Sequence, residues 1–345
     1  MTGARLTVEG ETRLLTVQDR GRQGAMRYGV SASGPMDWVR FSHALSLAGG
    51  GGVAAFELSL AGGTFRAEGR VVVGVAGPGF LARIGERPGA FDPPFRATLE
   101  DGERLVVQPG RQGMWAYVAV NGIDFGRPVL GSFATNARTG LGARDFLGGF
   151  PVAEAAAAER DAPPYEALDI SLPTSPIGLL PGPQHHLFEQ AVRDAFAATP
   201  YRLTDQVDRM GYRLEGTPLK AKTHDIISDG IVEGAIQVPG NGQPIVLCAD
   251  RAPTGGYPKI AVVASADLPH LTQARPGAEL RFAWISLKEA ARRRRALVET
   301  LRQPSEPRVR DEFPAEFLAG QNLVGGVVSA TANATLTDRG EKPAQ

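Results

Sequence analysis

The chain has 345 residues, of which 43% are hydrophobic and 21% are charged, a balance that is typical of globular proteins and excludes a largely disordered chain. Its 37 basic and 37 acidic residues give a formal net charge of zero, which argues against broad electrostatic attraction to nucleic acid or to an anionic membrane. At this length we expect two domains of roughly 150 residues each.

Most of the chain consists of short β-rich segments that are separated by turns rich in glycine and proline. So many short strands indicate barrels or sandwiches, and not a sheet of alternating strands and helices. The predicted strands span residues 14–17, 55–60, 63–67, 70–76, 80–84, 103–107, 114–120, 168–172, 177–180, 201–204, 213–215, 226–228, 234–238, 245–249, 260–265 and 279–285.

Few helices are predicted, and each has a recognisable start or stop signal. Pro35 suits the first turn of one helix. Ser286 and Glu289 form a capping box at the start of another, and Glu289 is one turn from Arg293, with which it can form an ion pair. The predicted helices span residues 35–47, 183–198 and 286–302, with a short helical turn at residues 268–273.

The composition changes along the chain, which predicts two domains and a tail. Residues 152–164 are rich in Ala, Glu and Pro, as in an exposed linker, and the domain boundary is placed near residues 172–182. From Gln303 onward the composition is typical of a mobile extension. The predicted parts are an N-terminal β-barrel domain at residues 1–172, a C-terminal β-barrel domain at residues 173–302 and a flexible tail at residues 303–345.

Several common functional motifs are absent from the sequence. There is no G-x-x-x-x-G-K-[ST] loop, no G-x-G-x-x-G opening a helix and no G-x-S-x-G turn. The five histidines lack metal-ligand spacing, and His185 and His186 are interpreted as surface or capping residues, so we expect no metal site. The single cysteine, Cys248, lies in an apolar run and is interpreted as a buried hydrophobic residue. Because no signal-peptide core and no membrane-length apolar stretch occur, we expect a cytoplasmic protein.

Four stretches of the chain have a more specific sequence than turns and strands require. They are Thr16–Arg22 with Gly29–Asp37; Tyr117–Asp124 with Pro128–Ser132; Asp208–Gly216; and Ser228–Gly230 with Gly234–Pro239, Gly242–Leu247 and Asp250–Ile260. In this order they resemble the A/B part of the biotin-dependent carboxyltransferase family, from about Leu6 to Arg295. That family includes the carboxyltransferase region of urea carboxylase, the allophanate hydrolase subunit 2 proteins, KipA and the C subunit of ATP-dependent 5-oxoprolinase.

The resemblance implies a mainly β fold, with two cyclophilin-like β-barrel domains and a few short helices. It also implies partners: a C/D-type subunit (the 5-oxoprolinase B subunit or a KipI-like protein) and, for a 5-oxoprolinase, the A subunit. The first function that it implies is the C subunit of an ATP-dependent 5-oxoprolinase complex, which opens 5-oxo-L-proline to L-glutamate and whose C subunit is inactive alone.

Two alternative functions remain open on the same resemblance. One is a carboxyltransferase subunit that moves a carboxyl group from carboxybiotin to a urea-like or amide acceptor, and the other is a non-enzymatic, KipA-like regulatory binding protein. ATP is expected to be used by the complex. Biotin is expected only on a partner carrier, because the chain has no Met-Lys-Met biotinylation sequence.

The sequence departs from the family pattern at four positions. Ala252 and Pro253 stand where relatives commonly carry Gln and Thr. Asn121 stands where glycine is usual, and Gly51 replaces a common asparagine. The first two changes remove hydrogen-bonding groups beside the expected site.

The segment around residue 250 contains the candidate catalytic residues Lys259, Asp250 and Tyr257. Lys259 either stabilises an oxyanion or carboxylate as a point charge or extends along a strand edge towards solvent. Asp250 either acts as a base and orients Lys259 or forms an ion pair with a neighbour such as Arg251. Tyr257 either donates to a substrate carbonyl or covers the end of the barrel. Gln237, within a predicted strand, needs a partner or faces a cavity.

Further substrate-binding candidates lie on both sides of that segment. Gly255 and Gly256 either adopt positive φ angles and let a ligand approach the backbone or make a tight strand connection. Asp208, Arg209 and Tyr212 form either a second wall of the site or a turn held by a salt bridge.

The N-terminal domain contributes the last two candidates, Arg22 and Ser33. Arg22 either holds an anion or pairs with Asp19 or Asp37. Ser33 is interpreted as a helix-capping residue in preference to a nucleophile. A crevice between the two domains is predicted to bring these loops together with the segment around Asp250.

Overall fold

A computed structural model describes the chain over a series of ranges that all belong to one compact unit, Met1–Pro307. The described residues are 4–10, 15–49, 51–87, 89–136, 138–142, 149–152, 165–166, 170 and 176–303. Apart from their end residues Val152 and Gln303, the predicted linker and tail lie outside these ranges, as does most of the predicted strand at residues 168–172. The predicted domain boundaries therefore stay predictions.

The first half of the described chain forms two antiparallel sheets. Their strands are Arg5–Glu9 (β1), Leu15–Gln18 (β2), Ala55–Leu58 (β3), Gly63–Glu68 (β4), Val71–Ala76 (β5), Phe80–Ile84 (β6), Phe95–Leu99 (β7), Arg104–Pro109 (β8), Ala116–Val120 (β9), Phe150–Pro151 (β10) and Tyr165–Glu166 (β11). Among the described residues the strand orders are β10-β1-β4-β8-β6 and β11-β7-β5-β9-β3-β2. Alternate side chains of both sheets meet in a shared core, as the burial of Phe80, Ala82 and Ile84 illustrates. Among the described residues these are two separate sheets that share a core, and we use the name first barrel for the pair.

The second half forms a separate eight-stranded sheet. The strands of this half are Ile177–Pro181 (β12), Tyr201–Val207 (β13), Gly211–Glu215 (β14), Asp229–Gly230 (β15), Ala235–Gln237 (β16), Ile245–Leu247 (β17), Thr254–Gly255 (β18), Lys259–Val263 (β19), Glu279–Leu280 (β20) and Phe282–Trp284 (β21). The order β20-β13-β14-β17-β16-β19-β12-β21 places consecutive strands of the chain at its two ends, so the sheet nearly closes into a barrel, which we call the second barrel. Strands β15 and β18 pair with each other outside this sheet.

Helices are few in the described part of the chain. They are Trp38–Leu47 (α1), Gln190–Ala198 (α2), Leu268–Thr272 (α3) and Leu287–Arg302 (α4). None of them is long and apolar enough to cross a membrane. The predicted mainly β fold with a few short helices is confirmed.

Helix α1 begins later than predicted. The Asp37 carboxylate accepts from the backbone N–H groups of Val39 and Arg40, so Asp37 is the N-cap and Pro35 lies outside the helix. Ser33 is therefore not the capping residue. Helix α1 packs closely on β5, where a Cβ atom at Gly74 would lie 2.3 Å from the carbonyl oxygen of Ala44, so this crossing requires glycine.

The second predicted helix is shorter in the structure, and the last is confirmed. Phe188 has an extended backbone, which separates a 3-10 turn at His185–Leu187 from helix α2. Helix α4 begins as predicted, because the Ser286 hydroxyl accepts from the N–H of Glu289.

The sequence-based strand prediction was wrong at several places. Strands β1 and β7 were not predicted, although both alternate between buried and more exposed residues. Residues 226–228 are not a strand, because pairing begins only at Asp229. The segment 279–285 is divided into β20 and β21, which lie at opposite ends of the second barrel's sheet.

Two departures from the family pattern compensate each other in space. A Cβ atom at Gly51 would lie 2.8 Å from the Asn121 amide oxygen, and one at Gly49 would lie 3.0 Å from the amide nitrogen. The Asn121 side chain therefore fills the space beside a turn that lacks its usual asparagine.

Candidate functional site

A pocket of about 390 Å³ lies on the outer face of the second barrel. On β14, β16 and β17 the residues Tyr212, Ile236 and Val246 face the core, so their neighbours in sequence project outwards. Register places these outward residues side by side, because Ile245 is paired with both Arg213 and Gln237. The floor of the pocket is formed by Gly211, Arg213, Gln237, Ile245 and Leu247.

Two segments form the walls of this pocket. One is residues 205–210, at the end of β13, and the other is the flap, which we define as residues 226–232 and 251–257 with strands β15 and β18. Hydrogen bonds hold the two halves of the flap together, from Ile226 N–H to the Gly256 carbonyl (2.8 Å) and from Ile231 N–H to the Pro253 carbonyl (3.0 Å). A pocket of this size with mixed apolar and polar walls suits a small molecule.

Gln237 and Lys259 lie next to each other beneath the flap. A bulge in β19 pairs Lys259 directly with Gln237, and directly paired residues project from the same face of a sheet. Gln237 lines the pocket, whereas Lys259 does not line it and is only 1% exposed. The Gln237 Nε2 and Lys259 Nζ atoms are both buried without a hydrogen-bond acceptor in the described part of the protein.

Asp229 and Gln184 hold the lysine in place, and neither was predicted from the sequence. The Asp229 carboxylate lies 3.5 Å from Lys259 Nζ. The Gln184 amide donates to that carboxylate (3.1 Å), and its oxygen accepts from the Lys259 backbone N–H (3.2 Å). Hydrogen bonds from Gln184 and from the Gly230 N–H, together with Lys259, lower the pKa of Asp229 below its ordinary value. Asp229 belongs to the quoted Ser228–Gly230 stretch, but only the pairing of β15 with β18 shows that it reaches Lys259.

The glycine pair lines the pocket for a different reason from the one predicted. Neither Gly255 nor Gly256 has a positive φ angle. A Cβ atom at Gly255 would instead lie 2.5 Å from Gln237 Nε2 and 2.8 Å from Ile231 Cδ1. Gly255 thus leaves the space that the Gln237 amide occupies. The neighbouring Tyr257 also lines the pocket and is 43% exposed.

Asp250 lies at the interface between the barrels, bound to Arg209. The Arg209 guanidinium donates to both Asp250 carboxylate oxygens (3.0 and 3.2 Å), to the Gly34 carbonyl (2.7 Å) and to Glu57. Burial works against the charge of Arg209, but Glu57 and Asp250 outweigh it and raise the pKa of Arg209 above its ordinary value. Of the two alternatives predicted for Asp250, the structure thus shows the ion pair. Its partner is Arg209 and not Arg251.

Of the three predicted residues of the second wall, only Asp208 lines the pocket. Its carboxylate accepts from the N–H groups of Met210 and Gly211, which shapes the turn. Tyr212 faces the core, where its hydroxyl donates to the Thr272 carbonyl (2.7 Å) and accepts from Trp115 Nε1 (2.9 Å). Tyr212 therefore joins the barrels.

A buried polar network in the first barrel supports this interface, and sequence reasoning missed its centre, Glu57. The Glu57 carboxylate accepts from the Met36 N–H and the Tyr117 hydroxyl, both at 2.8 Å. Tyr117 in turn accepts from the Asp37 N–H (2.7 Å), and the Asp37 carboxylate accepts from Gln273 (2.8 Å). Burial raises the pKa of the Asp37 carboxyl group and that of the Tyr117 hydroxyl.

Arg22 and Ser33 lie in the first barrel and do not line the pocket. Arg22 is fully buried, and its Nη2 atom donates to the Ala134 carbonyl (2.5 Å), while burial lowers its pKa. Ser33 has a φ angle of 55° and accepts a hydrogen bond from the Asn136 amide (3.2 Å). Loops of the two halves meet nearby, because the Ser31 hydroxyl donates to the Arg251 carbonyl (2.8 Å), but the pocket itself is lined by residues of the second half and does not occupy the predicted crevice between the domains.

The remaining reactive side chains of the sequence have structural surroundings. Cys248 is buried and unpaired, and burial raises the pKa of its thiol. The His185 ring contacts the Ile260 carbonyl (3.1 Å) and makes a T-shaped contact with the Trp284 ring, so this histidine packs on the second barrel. Within the described residues no group of three or more His, Cys, Asp or Glu side chains is placed to hold a metal ion.

Comparison with known proteins relates the chain to one family. The family model of the carboxyltransferase domain, subdomains A and B, matches residues 28–284. The chain is 37% identical to the 5-oxoprolinase C subunit of Escherichia coli (strain K12) over 287 residues, covering 81% of this chain and 91% of the relative. It is 32% identical to the protein of the same name from Haemophilus influenzae, with the same coverage of each chain.

Solved structures agree with this relationship. The crystal structure of TTHA0988 superposes with a TM-score of 0.72 at 31% identity, over 81% of this chain and 56% of that one, so the present chain spans little more than half of its length. The Kluyveromyces lactis urea amidolyase superposes with a TM-score of 0.77 over 92% of this chain and 21% of that one. At 23% identity, the second similarity shows the fold alone.

Proposed function

The chain belongs to the family of the carboxyltransferase domain, subdomains A and B, and on that premise we propose that it is the C subunit of a cytoplasmic 5-oxoprolinase complex. The complex would open the lactam ring of 5-oxo-L-proline to give L-glutamate. The observation that carries this proposal is the 37% identity to a 5-oxoprolinase C subunit along nearly the whole of that relative.

The pocket on the second barrel is the proposed place for the substrate. It is large enough for a small ring compound, and its apolar residues Ile231, Ile245 and Leu247 suit the ring carbons. Gln237 and Lys259 supply buried hydrogen-bond donors, and the Tyr257 side chain supplies a hydroxyl at the rim. In this proposal Lys259 and Gln237 bind and orient the substrate, whereas Asp250 orients Arg209 at the interface.

Companion subunits complete the proposed activity. A C/D-type subunit and an A-type subunit would join this chain, which alone would be inactive. We place ATP on a companion subunit, because the sequence has no phosphate-binding loop and the pocket wall carries the acidic residues Asp205 and Asp208. Two carboxylates beside a triphosphate are electrostatically unfavourable.

Reconstitution tests the proposal directly. The purified chain is mixed with the C/D-type and A-type proteins of the same organism, 5-oxo-L-proline and ATP, and L-glutamate formation is measured. We expect glutamate and ADP only when all three proteins are present. Turnover by this chain alone, or none by an assembled complex of the three, would contradict the proposal.

The family assignment itself favours a second candidate function, a carboxyltransferase subunit. Such a protein would move a carboxyl group from carboxybiotin on a partner carrier to a urea-like or amide acceptor. The same reconstituted proteins, given a carboxybiotin-loaded carrier and urea, would then form carboxylated urea without using 5-oxoproline. An assembled complex that turns over neither substrate would instead favour the KipA-like regulatory function, with Ala252 as the first change in the pocket wall to examine.

A further inference from the structure

Two hydrogen-bond donors beneath the flap lack acceptors within the described part of the chain. The Gln237 Nε2 atom belongs to a side chain that is 6% exposed, and the Lys259 Nζ atom to one that is 1% exposed. Burying a hydrogen-bond donor without an acceptor is costly. The pair therefore indicates a missing acceptor, such as a ligand.

The two donors lie on paired residues under the same two flap strands. Gln237 and Lys259 are directly paired across β16 and β19, so their side chains leave the sheet together. Gly255 of the flap lies against Gln237 Nε2 and is paired with Asp229, whose carboxylate is the neighbour of Lys259 Nζ. Both donors are thus covered by the same pair of flap strands, with Gln237 lining the pocket and Lys259 buried beside it.

The position of Asp229 indicates which chemical group would suit the two unpaired donors. Its carboxylate lies 3.5 Å from Lys259 Nζ, longer than the roughly 2.7–2.9 Å of a direct charge-assisted hydrogen bond. Asp229 is 49% exposed and is held by Gln184 and Gly230, so it compensates the lysine charge from the side without taking its donors. A second oxygen acceptor, such as an oxygen of a ligand carboxylate, would take the donors that Asp229 leaves free.

We propose that Gln237 Nε2 and Lys259 Nζ form a carboxylate-binding subsite, and that the pocket takes a small ring compound that carries a carboxylate. The amide binds one carboxylate oxygen, the ammonium group binds the other, and the ring lies on Ile231, Ile245 and Leu247. This inference rests on the proposed function for one ligand, 5-oxo-L-proline, whose carboxylate it assigns to these two residues.

Binding to the full chain tests the subsite without any turnover. Titration calorimetry compares 5-oxo-L-proline with 2-pyrrolidinone, the same lactam without the carboxylate, using the chain alone and the assembled complex. We expect binding of 5-oxo-L-proline, competition by acetate, and an affinity for 2-pyrrolidinone that is lower by about tenfold or more, as for loss of a hydrogen bond to a charged group. Equal affinities for the two lactams, or no carboxylate-dependent binding to either form of the protein, would overturn the proposal.

Variants assign the effect to the two residues. Lys259→Met and Gln237→Met keep the side-chain length and remove the donors, and each should weaken 5-oxo-L-proline binding by about tenfold or more while leaving 2-pyrrolidinone unchanged. Lys288→Met, on the exposed start of α4, is the matched control and should bind as the unmodified chain does. Normal binding by both pocket variants would overturn the proposal.

A further variant keeps both donor side chains. Asp229→Asn removes the carboxylate that compensates the Lys259 charge and should tighten 5-oxo-L-proline binding several-fold, because the ligand then becomes the negative partner of Lys259. Weaker binding in Asp229→Asn would count against the subsite. Carboxylate-dependent binding in a complex without turnover would leave the subsite intact and reject the 5-oxoprolinase function. Turnover with an unchanged KM in Lys259→Met and Gln237→Met would reject the subsite and leave the 5-oxoprolinase function intact.

Discussion

Arg209 of the second barrel and Glu57 of the first barrel form an ion pair that joins the two halves of the protein. Glu57 is fully buried, and the Arg209 side chain is 11% exposed. The same guanidinium also binds Asp250, so one side chain connects the interface to the two segments that form the walls of the pocket. Arg209 follows the pocket residue Asp208, and Asp250 precedes the flap.

Removing one charge of this pair should destabilise the whole protein. In Glu57→Gln the buried Arg209 charge retains Asp250 as its close partner but loses the other carboxylate, so the free energy of unfolding should fall by about 3 kcal/mol, as for other broken buried pairs. Urea denaturation measures the change. The matched control is Glu100→Gln, which removes an exposed carboxylate paired with the partly buried Arg70, and its cost should stay below about 1 kcal/mol. Similar losses in the two variants would show that the buried pair has no special role.

The two tyrosines of the candidate segments should have opposite phenotypes. Tyr212→Phe leaves the buried Trp115 Nε1 without an acceptor, which should cost about 1–3 kcal/mol of stability and leave ligand binding unchanged. Tyr257→Phe removes the hydroxyl of a tyrosine that is 43% exposed, so stability should change by less than about 0.5 kcal/mol while kcat of the reconstituted complex falls. Thermal unfolding and steady-state kinetics measure both variants. A kcat defect in Tyr212→Phe with normal stability would reverse the assignment.

The local features of this fold are predictable from sequence. The capping box at Ser286 and the alternation of buried residues along strands such as Phe80–Ile84 depend on neighbours a few positions apart. The outward position of Gln237 follows from the same alternation. Such short-range patterns predicted the mainly β fold and the start of α4.

The contacts that form the site depend on long-range pairing, which a single sequence does not encode in any local pattern. Arg209 and Glu57 are 152 positions apart, and Gln184 and Lys259 are 75 positions apart. Whether Tyr212 faces the core or the pocket depends on the register of β14, and a shift of one residue would exchange it with Arg213. The sequence therefore supplied the candidate residues without indicating which of them share a pocket.

Helix α4 should become less stable in acid because of Glu289. Hydrogen bonds from Arg292 and Arg293 lower the pKa of Glu289 from 4.5 to about 2. As the pH falls below 4.5 the unfolded chain takes up this proton before the folded protein does, so the stabilisation that is complete above pH 4.5 is lost progressively towards pH 2. The difference in Tm between the unmodified chain and Glu289→Gln should be constant from neutral pH to about pH 5 and should shrink below it.

A control on the same helix separates this effect from general acid destabilisation. Glu299 is exposed, and its oxygen lies 3.7 Å from Arg302, so Glu299→Gln removes only a weak surface ion pair and should change Tm little. A Tm difference for Glu289→Gln that persists undiminished below pH 3 would contradict the role of the two arginines.

The flap glycines offer the sharpest test of the pocket, because adding one methyl group should affect function and not folding. In Gly255→Ala the new Cβ atom would lie 2.5 Å from Gln237 Nε2, the end of a flexible side chain that can move away at little cost. Stability should therefore change by less than about 1 kcal/mol, while displacement of the amide should weaken ligand binding by about tenfold.

Gly256→Ala is the matched control, since the atom nearest to its new Cβ atom, the Ile226 carbonyl oxygen, lies at an ordinary contact distance of 3.5 Å. Calorimetry and thermal unfolding of both variants should show lost binding with intact folding in the first and no change in the second. Equal binding by the two variants would mean that the Gln237 amide does not contact the ligand.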